Sequence, residues 1–371
     1  MSKQGESEIL SLTYMRGFAA LSIVIFHMRG YLNNIYLKTD LGDFLFDKLN
    51  FGVDLFFIIS GFIIVYATRK IEHSNTLSFL IRRFFRVYPL FLVCITVGIL
   101  SIYSDSSTEQ IVRALFLIHQ NYSLPSPTFG FNLMGPAWTL TYELYFYFIF
   151  SVSLLINHKY RTEITCILLL CQIITPQLLL NGGLHLSAYT GLDTQSHNYL
   201  AGFLQFSSNT MFYDFILGML LAKIYLNGNK LNTGSGKLVM IAFSAIFVTL
   251  VAETESTQVG PQNYGYMCLF LVMGFLLYEK KNKLKKVSIL VFLGNISYAL
   301  YISHYIVIDG MHKYNLLFWQ YTAGVTRILA MVSLCIGISW LLHIIIEKPF
   351  IRMGKIVINK LHSKEKLSVS S

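Results

Sequence analysis

An arginine and a histidine stand eleven residues apart in a stretch of sequence that is otherwise apolar. They are Arg16 and His27, within residues 10–30. On an α-helix, eleven residues turn through about 1100° and rise about 16 Å, so both side chains leave nearly the same face. A guanidinium binds phosphate, and an imidazole takes up a proton near neutral pH. The pair therefore predicts a site that joins an anionic donor at one end to proton transfer at the other.

Other apolar stretches each contain an ionisable residue that could work with His27. They hold Asp54, Glu143 and His304, with Asp214 as a weaker member of the group. A carboxylate beside an imidazole can fix its tautomer and stabilise its cation. We expect His27 to be catalytic, with Asp54 or Glu143 orienting it. The alternative for each partner is a structural one, a buried polar group that bonds a neighbouring helix.

Two further arginines lie three residues apart in a basic, aromatic segment. On a helix Arg83 and Arg86 share a face next to the membrane. Guanidinium groups match phosphate oxygens with two parallel hydrogen bonds. Such a pair could bind the phosphates of a donor together with Arg16. From these residues alone, an ordinary basic anchor at the membrane surface is the favoured interpretation.

Composition indicates a membrane protein. Hydrophobic residues make up 54% of the 371 residues and charged residues 13%, with a mean hydropathy of +0.55. Soluble domains carry about 25% charged residues. We therefore expect an all-α integral membrane protein with about ten transmembrane helices, of which the seventh and eighth are short. The predicted spans are Leu10–Gly30, Phe51–Tyr66, Val87–Ile102, Ala137–Ile156, Ile164–Leu180, Phe206–Leu226, Leu238–Val251, Gly265–Leu277, Ser288–Ile308 and Thr322–Ile346.

The distribution of basic residues predicts the orientation. With both termini cytoplasmic, 23 of the 29 Lys and Arg residues fall on the inner side. Such a bias is the usual signature of cytoplasmic loops. It also explains the net charge of +10 without nucleic acid as a partner. The longest predicted outer loop, residues 181–202, suits recognition of an acceptor. The five cysteines lack the spacing of metal ligands or of a disulfide framework, so no metal site is expected.

Six motifs in this order resemble the acyltransferase-3 family of membrane acyltransferases over residues 10–350. The motifs are Arg16-x10-His27, Gly52-Val-Asp-Leu-Phe-Phe-Ile-Ile-Ser-Gly-Phe62, Arg83-x-x-Arg86, Pro136-Ala-Trp-Thr-Leu-Thr-Tyr-Glu143, Gly294-Asn-Ile-Ser-Tyr-Ala-Leu-Tyr-Ile-Ser-His304 and Glu347-Lys-Pro-Phe350. Many members have Ser at the position of Thr139, a mild departure.

The resemblance implies an O-acyltransferase of the bacterial inner membrane that modifies an envelope polysaccharide, such as O-antigen, capsule or exopolysaccharide, or its lipid-linked precursor. The donor is acyl-CoA, by default acetyl-CoA, which acts as a co-substrate, and no cofactor is bound permanently. His27 is then catalytic, either as a base or as a transient acyl carrier, and the arginines bind the donor. His304, Tyr298 and Trp138 are candidates for acceptor binding. Residues 1–355 form the transmembrane domain and residues 356–371 a short polar cytoplasmic tail, with no appended soluble domain.

Two other classes of protein would also place ionisable residues in the membrane or near it. A proton-coupled exporter of glycan or lipid-linked glycan needs His and carboxylates, but transporters usually show repeated halves with broken helices, and neither is visible in this sequence. A scaffold protein in a polysaccharide synthesis complex has no need of the Arg16–His27 alignment. The acyltransferase interpretation is therefore favoured.

Overall fold

In a computed structural model, all regular secondary structure is helical in the residues that the structure describes, 9–71, 75–194, 199–228, 236–282 and 284–369. No β-strand occurs in these ranges, as the all-α prediction requires. The α-helices are α1 Leu10–Met28, α2 Leu41–Phe46, α3 Gly52–Ala67, α4 Asn75–Ser101, α5 Thr108–Leu115, α6 Trp138–Ile156, α7 Arg161–Pro176, α8 Tyr199–Ser207, α9 Phe212–Asn227, α10 Gly236–Glu253, α11 Tyr266–Lys281, α12 Ser288–Tyr314, α13 Leu317–Gln320, α14 Gly324–Leu342 and α15 Lys348–Val369.

Eight helical segments among the described residues are long and apolar enough to cross a membrane. They are Leu10–Leu32, Leu41–Ala67, Thr76–Ser101, Gly135–Ile156, Arg161–Asn181, Gly236–Glu253, Ser288–Tyr314 and Gly324–Ser363. The other two predicted spans correspond to α9 and α11, which have 16 residues each. The count of ten spans and the cytoplasmic termini remain predictions. Lys3, Lys230 and Lys283 of the charge count, residues 195–198 of the outer loop and residues 370–371 of the tail lie outside the described residues.

Helix α4 begins well before the predicted span at residue 87. Its first turns carry Arg83 and Arg86, so the basic segment and the apolar segment form one continuous helix of 27 residues. The predicted span begins where the charged residues end. A helix can continue through charged residues, because the apolar parts of their side chains pack along its surface. Both arginines are therefore held on a long, rigid element.

Glycines let two pairs of helices approach each other at backbone distance. A Cβ added at Gly17 of α1 would lie 2.7 Å from the backbone nitrogen of Gly294 in α12. A Cβ at Gly61 of α3 would lie 2.2 Å from the carbonyl oxygen of Phe215 in α9. Membrane helices associate through such small-residue contacts because lipid provides no hydrophobic driving force between them. These two contacts hold the neighbouring residues Arg16 and Ser60 toward the interior of the bundle.

Helices α1 and α12 run parallel. Gly17 meets Gly294, and ten residues further along both helices the His27 ring meets the His304 ring, with 5.3 Å between centroids. At the start of α1, the Tyr14 hydroxyl donates to the carbonyl of Lys285 at 2.9 Å. Because the two helices run in the same direction, residues the same number of positions beyond Gly17 and Gly294 lie at the same depth in the bundle.

The C-terminal helix α15 continues from α14 through a wide turn at His343–Glu347. It packs along α4, where Ile358 is buried and Ser78 hydrogen-bonds His362 at 2.9 Å. The predicted boundary after residue 355 therefore falls inside a helix. An apolar residue such as Ile358 keeps this polar segment attached to the bundle.

The connection between α5 and α6 packs around a buried histidine. His119 has no exposed surface, and its ring lies 5.3 Å from the rings of both Phe129 and Phe206. Burial lowers the pKa of His119 to about 3, because the apolar surroundings disfavour the imidazolium. His119 is therefore neutral in the folded protein near neutral pH.

This depressed pKa predicts a pH dependence of stability. The unfolded chain takes up a proton at His119 below about pH 6.5, and the folded chain does so only near pH 3, so the stabilisation is present above pH 6.5 and is lost as the pH falls. His119→Phe should show a smaller fall of the melting temperature between pH 7 and pH 4 than the wild type, measured by thermal unfolding in detergent. His312→Phe, a change at an exposed position, is the control. Parallel pH profiles for wild type and His119→Phe would contradict this prediction.

Candidate active site

Five of the nine predicted site residues belong to one cavity or its wall. Arg16, Arg83, Arg86, Glu143 and Tyr298 line a space between α1, α3, α4, α6 and α12. The cavity volume is about 90 Å³. The cavity is therefore narrow.

The arginines give this cavity an excess of positive charge. Among the residues that the structure describes, none of the three guanidinium groups forms a salt bridge with a carboxylate. Glu143 is the one acidic residue in the lining. Charges inside a membrane bundle are costly unless they are paired or serve a bound ligand. The buried Glu347 also lies close enough to Arg16 to act on its charge. Three cations with two anions around them leave an excess of positive charge, which can bind a ligand that carries several negative charges.

Glu143 is held by two hydroxyl groups. Ser60 of α3 donates to its Oε1 at 2.9 Å, and the Tyr147 hydroxyl, one helical turn along α6, donates to the same oxygen. The guanidinium of Arg83 lies 5.9 Å from the centre of the Tyr147 ring. The carboxylate therefore belongs to a network with Arg83, and not to His27.

Tyrosine side chains of α12 form one wall of the cavity. The Tyr298 hydroxyl donates to the carbonyl of Val87 at 2.6 Å and ties α12 to α4. One turn later, the Tyr301 hydroxyl contacts Thr139 Oγ1 at 2.8 Å and donates to the carbonyl of Pro136 at 3.0 Å. Tyr301 lines the cavity, and the next turn of α12 carries His304.

His27 lies beyond this wall, next to His304 and Tyr305. Its ring centroid is 5.3 Å from that of His304 and 5.2 Å from that of Tyr305. His304 is fully buried, and its Nδ1 lies 2.8 Å from the carbonyl oxygen of Tyr301 and 3.2 Å from that of Leu300. Because carbonyl oxygens only accept, Nδ1 carries the proton of the neutral ring. Nε2 then has a free lone pair, and no partner for it occurs among the described residues.

Asp54 is bound elsewhere in the structure. Its Oδ1 accepts a hydrogen bond of 2.6 Å from the backbone nitrogen of Gly260, and Asp214 lies beside it. Both carboxyl groups are fully buried between α3, α9 and the turn that precedes α11. In the described part of the chain, neither Asp54 nor Glu143 hydrogen-bonds His27. The expected orienting contact is therefore not formed, because Asp54 is bound by the backbone of Gly260 and Glu143 by the hydroxyls of Ser60 and Tyr147.

The comparison with known families decides the class of the protein. A family profile described as an acyltransferase domain, that of the acyltransferase-3 family, matches residues 9–344. The chain belongs to this acyltransferase-3 family. It is a membrane acyltransferase, which confirms the enzyme class expected from the six motifs.

Several named relatives are similar to this acyltransferase. An acyltransferase of Streptomyces mycarofaciens, MdmB, is 26% identical, with 92% of each chain covered. The exopolysaccharide production protein ExoZ of Rhizobium meliloti (strain 1021) is 24% identical, covering 82% of this chain and 90% of its own. A Staphylococcus aureus (strain COL) protein, whose name assigns it provisionally to the O-acetyltransferases, is 28% identical over 93% of this chain but only 58% of its own length. No solved structure matches the chain significantly.

Sequence reasoning missed the neutral hydroxyl groups around this acyltransferase cavity. Ser60, Tyr147 and Tyr301 line it, and each bonds a residue of the site. The available signal was their spacing: Tyr147 follows Glu143 by four residues, and Tyr301 precedes His304 by three. The predicted acceptor residue Trp138 does not line the cavity and packs against Tyr142, with 5.7 Å between ring centroids.

The bond between Thr139 and Tyr301 predicts an energetic coupling between α6 and α12. Tyr301→Phe and Thr139→Val each remove one partner of a buried hydrogen bond, so each should destabilise the acyltransferase by about 1 kcal/mol. The double variant should lose less than the sum, with a coupling of about 0.5–1.5 kcal/mol in a double-mutant cycle. The measurement is unfolding in detergent. Strictly additive losses would show that the two hydroxyl groups do not interact.

Proposed function

We propose that this membrane acyltransferase moves an acyl group, by default acetyl, from cytoplasmic acyl-CoA to a hydroxyl of an envelope polysaccharide or of its lipid-linked precursor. The observation that carries the proposal is the cavity in which Arg16, Arg83 and Arg86 meet, next to a pair of histidines at the far end of α1 and α12. In this proposal both termini and the arginine end of the cavity face the cytoplasm of a bacterial inner membrane. His27 faces the other side.

The donor end of the cavity suits coenzyme A. The phosphates of coenzyme A carry several negative charges, which complement the three guanidinium groups. A pantetheine arm is long and thin, as this cavity is. It reaches from the arginines along Tyr298 toward Tyr301, and the rise of about 16 Å from Arg16 to His27 is comparable to its length.

The histidine pair provides the chemistry at the other end. A hydroxyl oxygen of the acceptor forms the new ester bond to the acyl carbon while the carbon–sulfur bond breaks, and the hydroxyl proton passes through an imidazole to the sulfur of the departing coenzyme A. His27 acts either as the base or as a transient acyl carrier. His304 takes the orienting role expected of a carboxylate, because its unprotonated Nε2 is available beside the His27 ring.

The names of the relatives support the acceptor and the acyl group. One relative is named for exopolysaccharide production and another for O-acetyl transfer. We propose a polysaccharide as the acceptor, and acetyl as the default acyl group, on the basis of these names and of the family resemblance.

Donor binding is expected to depend on Arg83 and Arg86. Replacing both with Ala should weaken coenzyme A binding at least about ten-fold, and Lys at both positions should restore it only in part, since an ammonium lacks the guanidinium fork. Calorimetry on the purified protein measures this. Arg82→Ala is the matched control, because Arg82 is adjacent in sequence and does not line the cavity. If the double Ala variant bound coenzyme A as tightly as the wild type, Arg83 and Arg86 would be only a membrane anchor.

Transfer is expected to depend on both histidines. His27→Ala and His304→Ala should each lower acyl transfer at least about 10²-fold, because each removes an imidazole from the proton path, while coenzyme A binding stays near the wild-type level. His312→Ala, two turns further along α12 and exposed, should keep wild-type activity. Mass spectrometry of the envelope polysaccharide gives the readout in cells. Normal acylation in the His27→Ala strain would overturn the assignment, and normal acylation in the His304→Ala strain would remove His304 from the mechanism.

A further inference from the structure

A polar groove lies at the same end of the helices as His27. It is formed by α5, by residues 120–123 and by Tyr199 at the start of α8, and it holds about 770 Å³ of water-accessible space. Its lining includes the side chains of Glu109, Gln110, Arg113, Gln120, Asn121 and Tyr199. We call it the α5 groove. Its volume is in the range of sites that bind small molecules.

Chain topology places the α5 groove on the His27 side of the membrane. His27 is near the end of the first span, and the chain crosses twice more, in Leu41–Ala67 and Thr76–Ser101, before it reaches α5. Two further crossings, Gly135–Ile156 and Arg161–Asn181, precede Tyr199. An even number of crossings returns the chain to the same side. Every element of the groove therefore faces the compartment that His27 faces.

The segment that lines the α5 groove also reaches the histidine pair. Residues 120 and 121 are fixed by backbone bonds, from Gln120 to Phe131 at 3.0 Å and from Asn121 to Phe129 at 2.9 Å. The same segment continues to Gly135, where an added Cβ would lie 3.0 Å from the ring of Tyr305, the neighbour of His27. A ligand in the groove can thus extend along one connected segment toward the reacting histidines.

The α5 groove carries no net charge from its charged residues. Arg113 and Glu109 form a salt bridge at 2.9 Å, and Arg113 Nη1 also donates to the carbonyl of His119 at 3.2 Å. The paired charges leave no cation for a phosphate. This neutrality argues against a lipid headgroup or another anion as the ligand and favours an uncharged one.

The remaining groups of the α5 groove match the surface of a sugar. Gln110 and Asn121 each accept a backbone N–H bond of 2.9 Å at the side-chain oxygen, from Ser107 and Ser123, so their amide nitrogens are the groups that can donate to sugar hydroxyls. Gln120 Nε2 is bound to the carbonyl of Gln110 at 3.2 Å, while its Oε1 is buried and has no partner among the described residues. The Tyr199 ring is 77% exposed, and the Arg113 guanidinium lies 5.7 Å from its centre. That contact fixes a flat apolar surface on which the face of a sugar ring can stack.

We propose that the α5 groove binds an uncharged stretch of the acceptor polysaccharide, several sugars away from the hydroxyl that is acylated. This proposal rests on the proposed function for the identity of the polymer. Binding energy from a remote part of the substrate holds the reacting hydroxyl at His27. The groove therefore selects a polymer or oligosaccharide over a single sugar.

Direct binding without donor tests the α5 groove separately from catalysis. The probe is the host's envelope polysaccharide, de-O-acylated with alkali and cut to oligosaccharides, added to purified protein with no acyl-CoA present. Tyr199→Ala should weaken binding about ten-fold through the lost stacking surface, and Gln120→Ala should weaken it by a smaller factor. Tyr321→Ala is the matched control, since Tyr321 is 84% exposed, lies on the same side and is not part of the groove. Calorimetry or saturation-transfer NMR gives the affinity.

The outcomes separate this proposal from the proposed function. Binding that is weakened by Tyr199→Ala and unaffected by Tyr321→Ala supports the groove, whether or not acyl transfer is observed. Wild-type affinity in Tyr199→Ala, or no oligosaccharide binding by the wild type, overturns it. Binding of phosphatidylglycerol vesicles through Tyr199 in place of oligosaccharide also overturns it, because the groove would then be a lipid contact. Acyl transfer from acetyl-CoA, assayed in parallel, tests the proposed function itself.

Discussion

The unbalanced charge of the central cavity is the constraint on which the rest of the structure depends. Arg16, Arg83 and Arg86 line it with Glu143 as its acidic member. In a membrane bundle this arrangement is costly, so the surrounding helices have to supply polar partners and the ligand has to supply negative charge. The hydroxyls of Ser60 and Tyr147 hold Glu143 in place on the cavity wall. This charge distribution supports the proposal of a polyanionic ligand.

Parallel packing of α1 and α12 links the arginine-lined cavity to the pair formed by His27 and His304. The close contact of Gly17 with Gly294 fixes the register, and the same register brings His27 to His304 ten residues later. Tyr301 stands between the cavity and the two rings, with its hydroxyl tied to Thr139 and Pro136. In the proposed function, an acyl group that moves from the arginines to His27 passes this tyrosine.

The sequence allowed the class of the protein and the meeting of charged residues at one site to be predicted. Ionisable residues are rare in apolar helices, so Arg16, Arg83 and Glu143 stood out, and the structure places all three on one cavity. The number of membrane spans could not be fixed from the sequence, because α9 and α11 have 16 residues each. An apolar stretch of that length can either cross a membrane or stop short of it.

The partner of His27 could not be predicted, for a physical reason. Which residue faces His27 depends on the register between helices, and the contact of Gly17 with Gly294 sets the register of α1 against α12. Asp54 had the chemistry of an orienting group, but its carboxyl is bound by the backbone of Gly260. Neutral hydroxyls such as that of Tyr301 are common in apolar helices, so their spacing to Glu143 and His304 did not single them out before their contacts were known.

The most direct test of the account is the sidedness of the reaction. Right-side-out membrane vesicles that contain the protein are loaded with labelled acetyl-CoA, and de-O-acylated polysaccharide is added only outside. The account predicts that label reaches the external polysaccharide in wild-type vesicles and not in His27→Ala vesicles. Labelling only when acetyl-CoA is supplied outside, or equal labelling in the His27→Ala vesicles, would contradict it.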